Sequence, residues 1–281
     1  METISIHALF DLSDRVAVIT GGAGLLGKQH AAALAEANAS VMLWDINPDA
    51  LQQAKQALEE KHKGKIHVQE VDIGDKASID KASQIIEEKF GKLDILVNNA
   101  GMTVARGQEK FKRYFDSFEE YPLELWNLAM HVNLTGTFMV TQGLAPLLKR
   151  APRASIINIA SDVGVISPDH RIYQPNPERD YPGVGFNTPL SYATSKAALI
   201  HMTRYWATYW AKQNIRVNAI SPAGVENNQD PKFIRELTER IPMGRMAKPH
   251  EYKGALVFLA SDASSFMTGA NLVIDGGRTI W

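Results

Sequence analysis

Seven short apolar runs alternate with longer amphipathic stretches along almost the whole chain. Within each run the apolar residues are consecutive, which is typical of parallel strands that are covered on both faces. Strand–helix–strand repetition gives right-handed crossovers, so the pattern predicts an α/β fold with a Rossmann-like, doubly wound parallel sheet flanked by helices. The predicted strands are Arg15–Thr20, Ser40–Trp44, Ile66–Val71, Ile95–Asn98, Ser155–Ile159, Arg216–Ile220 and Leu272–Ile274.

The amphipathic stretches have helical periodicity and connect the predicted strands. The predicted helices are Lys28–Ala37, Pro48–Lys61, Lys76–Phe90, Leu123–Leu148, Ser191–Lys212 and His250–Leu259. Two irregular, polar stretches, Thr103–Pro122 and Ser167–Pro189, each follow a strand at the edge where ligands bind in such sheets. We expect residues 1–281 to form one domain, with residues 168–189 as an inserted loop on the substrate side.

The composition argues against several classes of function. Thirty lysines and arginines against 31 aspartates and glutamates give a net charge of −1, without the basic excess of a nucleic-acid-binding protein. There is no cysteine, and the eight histidines show no metal-ligand spacing. No apolar run approaches the roughly 20 residues that span a bilayer, and the N-terminus lacks the features of a secretory leader. We therefore expect a cytoplasmic protein with no metal, no nucleic-acid partner and no membrane association.

A glycine-rich segment follows the first predicted strand, with the sequence Gly22-Ala23-Gly24-Leu25-Leu26-Gly27. Glycines between a strand and a helix let the backbone approach a pyrophosphate, which the helix N-terminus then binds. Asp45 ends the second strand 18 residues after Gly27, where a carboxylate can accept hydrogen bonds from a ribose hydroxyl and would repel a 2′-phosphate. No arginine or lysine follows Asp45 directly, so the sequence predicts NAD as the cofactor, in preference to NADP.

Tyr192 and Lys196 are four residues apart in a predicted helix, which puts both side chains on one face. An ammonium group near a tyrosine favours the phenolate and lowers the pKa of the tyrosine from its usual value near 10. A base that works at neutral pH needs such help. On its own this spacing is a weak signal, because most such pairs are ordinary helix surface.

In combination, these motifs resemble the short-chain dehydrogenase/reductase family along nearly the whole chain. The matching segments, in the family's order, are 20–27, 71–73, 98–101, 132–136, 157–161, Tyr192 with Lys196, 221–224 and 275–277. The resemblance implies an oxidoreductase that moves a hydride between a nicotinamide cofactor and a carbinol or carbonyl carbon. It also implies a homo-oligomer, most commonly a tetramer in this family.

The resemblance also implies a role for each matched residue. Tyr192 would exchange the proton with the substrate oxygen, and Ser161 would hydrogen-bond that oxygen. Lys196 would bind the nicotinamide ribose and lower the pKa of Tyr192, and Asn133 would hold a water that links Lys196 to solvent. The residues expected to bind the cofactor are Gly21, Gly24, Leu25, Leu26, Gly27, Asp45, Ile46, Asp72, Ile73, Asn99, Ala100, Gly101, Tyr192, Lys196, Pro222, Gly224 and Val225.

The sequence departs from the family pattern in its glycines and in one spacing. Leu25 stands where the shorter family members usually have a glycine. Ser161 and Tyr192 are 31 residues apart, more than is usual, so the intervening stretch must loop out. Tyr173 stands at the usual distance from Ser161, but Pro177 occupies the place of its lysine, and we reject Tyr173 as the base.

The polar residues of the two long loops favour a sugar, sugar acid or sugar phosphate as the substrate, with Arg171, Tyr173 and Asn227 as candidate contacts. A general ketone or 3-oxoacyl reductase is the alternative within the enzyme class. A non-catalytic, cofactor-sensing regulator is the alternative outside it. Because Tyr192, Lys196, Ser161 and Asn133 are all present, the sequence favours an enzyme.

Overall fold

Seven parallel strands form one sheet in the residues that the computed structural model describes, which are 4–102, 113–184 and 187–281. The strand order is β3-β2-β1-β4-β5-β6-β7, and every neighbouring pair is parallel. The predicted α/β, doubly wound fold is therefore confirmed. The strands are β1 Val16–Thr20, β2 Ser40–Asp45, β3 Ile66–Glu70, β4 Ile95–Asn98, β5 Ala154–Ile159, β6 Ile215–Pro222 and β7 Asn271–Ile274.

Helices connect the strands and cover both faces of the sheet. Within the described ranges the α-helices are α1 Ile6–Phe10, α2 Leu25–Glu36, α3 Pro48–Glu59, α4 Lys76–Phe90, α5 Leu123–Met130, α6 Thr137–Arg150, α7 Leu190–Trp210, α8 Pro231–Thr238 and α9 Lys253–Ala260. Their termini follow local sequence signals. For example, the side chain of Asn47 caps α3 by accepting a hydrogen bond from Ala50 N–H, and Pro48 occupies the first helical position.

The strands are apolar throughout because both of their faces are buried. Successive side chains point to opposite sides of the sheet, so each strand contributes to two cores. In β1, Ala17 and Ile19 belong to the core beneath α2, α3 and α9. Val16 and Val18 belong to the core beneath α4, α6 and α7.

The helices differ from the sequence-based expectation in several details, two of which concern the candidate site. The single helix predicted over Leu123–Leu148 is divided into α5 and α6 by a π-helical segment, His131–Gly136. Apolar periodicity cannot reveal this division, because one widened turn hardly changes which face is buried. The short helix α8 was not predicted, although Asp230 caps it and Pro231 begins it.

The chain reverses direction across the sheet between β1 and β4, which are neighbours although β2 and β3 lie between them in sequence. Ligands bind at the carboxyl ends of the strands beside such a switch point. Thr20 and Asn98 end these two strands, and Thr20 Oγ1 accepts hydrogen bonds from the backbone N–H groups of Asn99 and Ala100. The fold thus places the glycine-rich turn and the segment after β4 side by side.

None of the helices in the described ranges is long and apolar enough to cross a membrane. Among the same residues, no three histidine, aspartate or glutamate side chains are grouped as metal ligands would be.

Candidate active site

The glycine-rich turn between β1 and α2 is closely packed against itself. Gly21 has a φ of +61°, which favours glycine, and a Cβ atom there would lie 2.8 Å from Ala100 Cα. A Cβ atom on Gly27 would lie 2.3 Å from the Gly21 carbonyl oxygen. Helix α2 begins at Leu25, with Gly24 as an N-cap that supplies no side-chain hydrogen bond. A turn without side chains that exposes a helix N-terminus fits the pyrophosphate of a dinucleotide.

Asp45 lies at the carboxyl end of β2, beside this turn. Its Oδ2 accepts a hydrogen bond from Ala23 N–H at 3.1 Å, and its Oδ1 accepts one from Asn47 N–H at 3.2 Å. These two bonds fix the carboxylate between the glycine-rich turn and the start of α3. The next residue, Ile46, is 63% exposed. A fixed carboxylate and an exposed apolar side chain fit the ribose and the adenine of the cofactor.

The expected adenine-side residues lie on the neighbouring strand ends. Asp72 follows β3 and is exposed, and its Oδ1 accepts a hydrogen bond from Gly74 N–H at 2.7 Å. Ile73 is buried beneath the π-helical segment, where a Cβ atom on Gly136 would lie 3.0 Å from the Ile73 carbonyl oxygen. The side chain of Asn99 donates hydrogen bonds to the carbonyl oxygens of Thr20 and Gly21, so it fixes the turn from the β4 side.

The proposed catalytic residues converge from two elements. Ser161 directly follows Ala160 after β5, and Tyr192 and Lys196 lie in the first turns of α7. Lys196 Nζ is 5.6 Å from the centroid of the Tyr192 ring and donates a hydrogen bond to the Ile159 carbonyl oxygen at 2.6 Å. The side chains of Ser161 and Tyr192 interact through their hydroxyl groups. The 31-residue separation is thus bridged, as the sequence required.

The environment shifts the pKa values of both residues on α7. Burial lowers the pKa of Lys196 to about 8. Burial raises the pKa of Tyr192, the Ser161 hydroxyl lowers it, and the negative charge of Asp162 raises it further. The net upward direction is opposite to the effect expected of the nearby Lys196, and its largest cause is the loss of water around the phenol.

Asn133 lies in the π-helical segment and connects two parts of the site. Its Oδ1 accepts a hydrogen bond from Met102 N–H at 2.7 Å, and its Nδ2 donates one to Ser195 Oγ at 3.0 Å. Ser195 Oγ in turn donates to the Tyr192 carbonyl oxygen at 2.8 Å. Asn133 therefore links the segment after β4 to α7. A Cβ atom on Gly101 would lie within 4 Å of both Asn133 Oδ1 and Lys196 Nζ, so Gly101 lies beside both residues.

The segment after β6 lies beneath α8. A Cβ atom on Gly224 would lie 2.9 Å from a methyl carbon of Leu237, so glycine allows α8 to pack closely here. Val225 pairs with Ala247 as an isolated parallel bridge. Pro222 is the last residue of β6 and is buried. The residues expected to lie near the nicotinamide therefore form a backbone segment that packs against α8 and pairs with Ala247.

The candidate substrate residues have other contacts in the structure. Arg171 pairs with Asp169 at 2.9 Å and its side chain is 84% exposed. Tyr173 is buried, stacks on Phe233 of α8, and its hydroxyl contacts Thr188 Oγ1. These contacts hold the insertion in place, and the role of Arg171 and Tyr173 as substrate contacts stays a prediction. Asn227 is exposed, and its N–H donates to Gln229 Oε1.

Several residues at the site were not identified from the sequence. Asp162 and Arg278 form a buried ion pair beside Ser161, although they are 116 residues apart. The Tyr121 hydroxyl lies 2.9 Å from Ser191 Oγ, and the Tyr114 ring packs at 60° to Tyr121. The sequence did contain one clue to the ion pair, the charged residue Asp162 directly after Ser161. A sequence cannot show, however, which distant residue pairs with it. Residues 103–112 of the polar loop after Gly101 lie outside the described ranges, so their part in substrate binding stays a prediction.

Known proteins resemble the chain over nearly its full length. A family model described as short chain dehydrogenase matches residues 15–173, and one described as Enoyl-(Acyl carrier protein) reductase matches residues 183–279. The chain is 34% identical to the 3-oxoacyl-(acyl-carrier-protein) reductase of Thermotoga maritima, with 96% of the chain and 99% of that protein covered. It is 33% identical to the NAD-dependent glycerol dehydrogenase of Listeria innocua, with 96% of each covered. It is 36% identical to the D-arabinitol 2-dehydrogenase (ribulose-forming) of Candida albicans, with 97% of the chain and 95% of that protein covered.

Solved structures agree with these matches. A short chain dehydrogenase from Leptospira borgpetersenii with bound NAD⁺ superposes with a TM-score of 0.82 at 32% identity, covering 100% of this chain and 98% of that one. A gluconate 5-dehydrogenase from Burkholderia cenocepacia in complex with NADP and tartrate has a TM-score of 0.82 at 29% identity, covering 98% and 99%. The fold, the glycine-rich turn, the Ser161–Tyr192–Lys196 grouping and these matches lead to one conclusion. The chain belongs to the short-chain dehydrogenase/reductase family and is an oxidoreductase that acts on CH–OH groups with a nicotinamide cofactor.

Proposed function

We propose that this protein is an NAD-dependent dehydrogenase of a small polyhydroxylated substrate, such as a polyol, sugar, sugar acid or sugar phosphate. The observation that carries the choice of cofactor is the position of Asp45. Both carboxylate oxygens are held by backbone N–H groups at the ribose end of the site. A 2′-phosphate would meet this negative charge, whereas a ribose hydroxyl would find an acceptor.

The proposed substrate class is supported by the relatives and by the hydroxyl groups around Tyr192. Two of the relatives are named for polyols, glycerol and D-arabinitol. In this chain, Tyr121 and Ser191 form a hydrogen-bonded pair next to Tyr192, and Tyr114 lies against Tyr121. Hydroxyl groups that both donate and accept hydrogen bonds suit a substrate that carries several hydroxyl groups of its own.

Each catalytic residue has a defined task in the proposed reaction. The bound cofactor supplies a hydride acceptor for oxidation, or a hydride donor for reduction. Tyr192 takes the proton of the carbinol hydroxyl, or returns it to the carbonyl oxygen, and Ser161 hydrogen-bonds the same oxygen. Lys196, whose pKa burial lowers to about 8, binds the nicotinamide ribose and stabilises the phenolate of Tyr192.

The insertion, residues 168–189, is proposed to control substrate specificity together with α8. Its Ile172 and Tyr173 share a small apolar core with Phe233 and Leu237. Helix α8 in turn lies over Gly224 of the nicotinamide-side segment. Because α8 connects the insertion with this segment, the position of the insertion affects the mouth of the site.

We also propose a homotetramer with closed symmetry. On α6 and α7, Phe138, Tyr205 and Tyr209 are exposed aromatic side chains, and the latter two are stacked with their ring centroids 6.3 Å apart. Exposed aromatic residues on one surface are typical of an interface. Sedimentation equilibrium at micromolar concentration is expected to give a mass near four times 31.1 kDa, and the mass of a single chain would contradict the proposal.

A screen of NAD reduction tests the function directly. Polyols, sugars, sugar acids and sugar phosphates are each offered with NAD and with NADP. In the reverse direction a 3-oxoacyl thioester and simple ketones are offered with NADH and NADPH, because a 3-oxoacyl reductase is 34% identical to this chain. Tyr192→Phe serves as the control for contaminating activity. Faster turnover of the 3-oxoacyl thioester than of any polyhydroxylated compound would replace the proposal by the reductase alternative.

A further inference from the structure

A buried ion pair lies directly behind the catalytic serine. Asp162 follows Ser161 in the chain and is 3% exposed, and Arg278 is 7% exposed. Arg278 Nη1 donates a hydrogen bond to Asp162 Oδ2. The pair joins the turn after β5 to the turn after β7, which lie on either side of β6. Two charges withdrawn from water in this way need a reason, because the cost of desolvation often exceeds the attraction between them.

The Asp162 carboxylate also determines where the Ser161 hydroxyl points. Ser161 Oγ donates to Asp162 Oδ1 at 2.9 Å, and Val163 N–H donates to the same oxygen at 2.8 Å. This bond holds Ser161 Oγ in place; because serine has a single hydroxyl proton, that proton turns from Asp162 to the substrate oxygen when Ser161 donates to it. Ser161 also interacts with Tyr192.

The conformation of the turn after β7 places the Arg278 side chain in the interior. Asp275 Oδ1 accepts a hydrogen bond from Gly277 N–H, and its Oδ2 accepts one from Thr279 N–H. Gly276 and Gly277 have φ values of +65° and +92°, so the turn needs glycine at both positions. The side chains of Ile241 and Pro242 pack against the two glycines. The backbone is therefore well fixed on both sides of the arginine.

The charged and titratable groups around Tyr192 come from four segments. Lys196 lies on its own helix, Asp162 on the turn after β5, Tyr114 on the segment before α5, and Arg278 on the turn after β7. Asp162 is the negative charge that acts on Tyr192, and it acts on Tyr173 and Tyr252 as well. Arg278 is the positive charge bonded to it. Arg278 thus lies next to the charge that acts on the phenol.

We propose that Asp162 and Arg278 are a positioning pair for the catalytic groups. Asp162 fixes the hydroxyl of Ser161, and Arg278 both holds Asp162 and cancels its negative charge beside Tyr192. The proposal rests on the proposed function of Tyr192 as the acid/base of the site. Neither residue touches the reacting atoms, and both act through Ser161 and Tyr192.

The test is a double-mutant cycle read by the ionisation of Tyr192. The variants are Asp162→Asn, Arg278→Leu and the combination of the two. Each protein is labelled with carbon-13 at the tyrosine Cζ atoms and titrated by NMR, with and without saturating NAD. The signal of Tyr192, one of eight tyrosines, is assigned by its loss in Tyr192→Phe. This readout needs no substrate. A negative substrate screen would therefore count against the proposed function, whereas unchanged titrations would count against the role of the Asp162–Arg278 pair.

Arg278→Leu is expected to raise the pKa of Tyr192 by about one unit, because Arg278 no longer balances the Asp162 carboxylate near the phenol. Asp162→Asn is expected to lower it by a similar amount, because Arg278 is then unpaired. The double variant is expected to return close to the wild-type value. With an accepted substrate, the acid limb of kcat against pH moves in the same directions.

Arg15→Leu is the matched control, since Arg15 pairs with Asp262 away from Tyr192. It is expected to lower the melting temperature without moving the Tyr192 titration. Arg278→Lys keeps the positive charge, so its Tyr192 pKa is expected to stay close to the wild-type value. Unchanged Tyr192 titrations in both single variants, or shifts of the same sign in both, would overturn the proposal. If Arg278→Leu fails to fold, the sign of the Asp162→Asn shift decides the question.

Discussion

At the scale of single residues, we expect turnover to depend most on Tyr192. Tyr192→Phe removes the group that carries the proton, so kcat is expected to fall by about 10² or more. The affinity for NAD, measured by fluorescence titration, is expected to remain unchanged because the ring is kept. Tyr205→Phe on the same helix, whose side chain is exposed, is the matched control and should retain activity. Full activity in Tyr192→Phe would show that another group is the base.

In the proposed function, Asp45 sets the choice between the two nicotinamide dinucleotides. We expect the wild type to prefer NAD over NADP by tenfold or more in kcat/KM, which corresponds to about 1.4 kcal/mol. Asp45→Ala removes the charge that opposes a 2′-phosphate, so it is expected to narrow this ratio. Asp49→Ala, at an exposed carboxylate in the first turn of α3, controls for a general change in surface charge. Equal kcat/KM for both cofactors in the wild type would disprove the assignment.

The grouping of the candidate catalytic residues could be predicted from the sequence because each lies in a short motif with a fixed place in the family's order. Ser161, Tyr192 and Lys196 meet in the structure as the resemblance implied. Arg278 could not be found in this way, since its partner Asp162 is 116 residues away. The direction of the Tyr192 pKa was also not predictable, because it depends on burial, which the four-residue spacing from Lys196 does not reveal.

At the scale of elements, the insertion is tied to α8 and the residues after it by a set of ion pairs. Asp169 Oδ2 accepts a hydrogen bond from Arg240 Nε at 2.6 Å, and the buried Glu236 lies between Arg179 and Arg240. Lys232 donates to the Asp180 carbonyl oxygen at 2.9 Å. Together with the shared apolar core, these bonds make the insertion and α8 one packed unit.

Asp169→Ala is expected to loosen this unit, since Asp169 holds both Arg171 and Arg240. The bound arginines keep the pKa of Asp169 well below its usual value, so the carboxylate is charged at neutral pH. We expect KM for the substrate to rise several-fold while NAD affinity stays the same, because a specificity surface is lost without a catalytic group. Limited proteolysis should cut faster within residues 168–189.

The control for Asp169→Ala is Glu87→Gln, which breaks an ion pair with Arg150 on the far helices α4 and α6. It should change neither KM nor the proteolysis pattern. A rise in KM that is equal in both variants would mean that the insertion has no special part in specificity.

Helices and strands could be predicted where the spacing of apolar residues determines them. They were predicted less well where the local backbone geometry depends on tertiary contacts. The strands were predicted to within two residues because consecutive apolar residues are what a doubly covered sheet demands. The π-helical turn that carries Asn133 has no such signature. Its wider turn lets Asn133 bond both Met102 and Ser195, and only tertiary contacts reveal that requirement.

At the scale of the whole molecule, a buried histidine makes stability depend on pH. His30 in α2 is 1% exposed, and burial lowers its pKa to about 4. Between pH 6.5 and pH 4 the unfolded chain therefore binds a proton at this residue that the folded protein excludes. The free energy of unfolding falls as the pH falls through this window, by about 3 kcal/mol at its lower end.

Urea unfolding of His30→Leu measures this contribution. The variant's free energy of unfolding is expected to change less between pH 6.5 and pH 4 than that of the wild type. His201→Gln, at an exposed histidine on α7, should keep the wild-type slope. Parallel curves for wild type and His30→Leu would show that His30 is not the source of the pH dependence.

The strand order also has a consequence for how the protein is made. Strands β4, β5, β6 and β7 join the sheet one beside the next in the order in which the ribosome produces them. The half of the sheet that carries the glycine-rich turn can therefore assemble while the rest is still being translated. Arg278 lies four residues from the position at which β7, the last of these strands, ends. A nascent chain could thus fold its dinucleotide site early, but it would complete the surroundings of Ser161 only after β7 has joined the sheet.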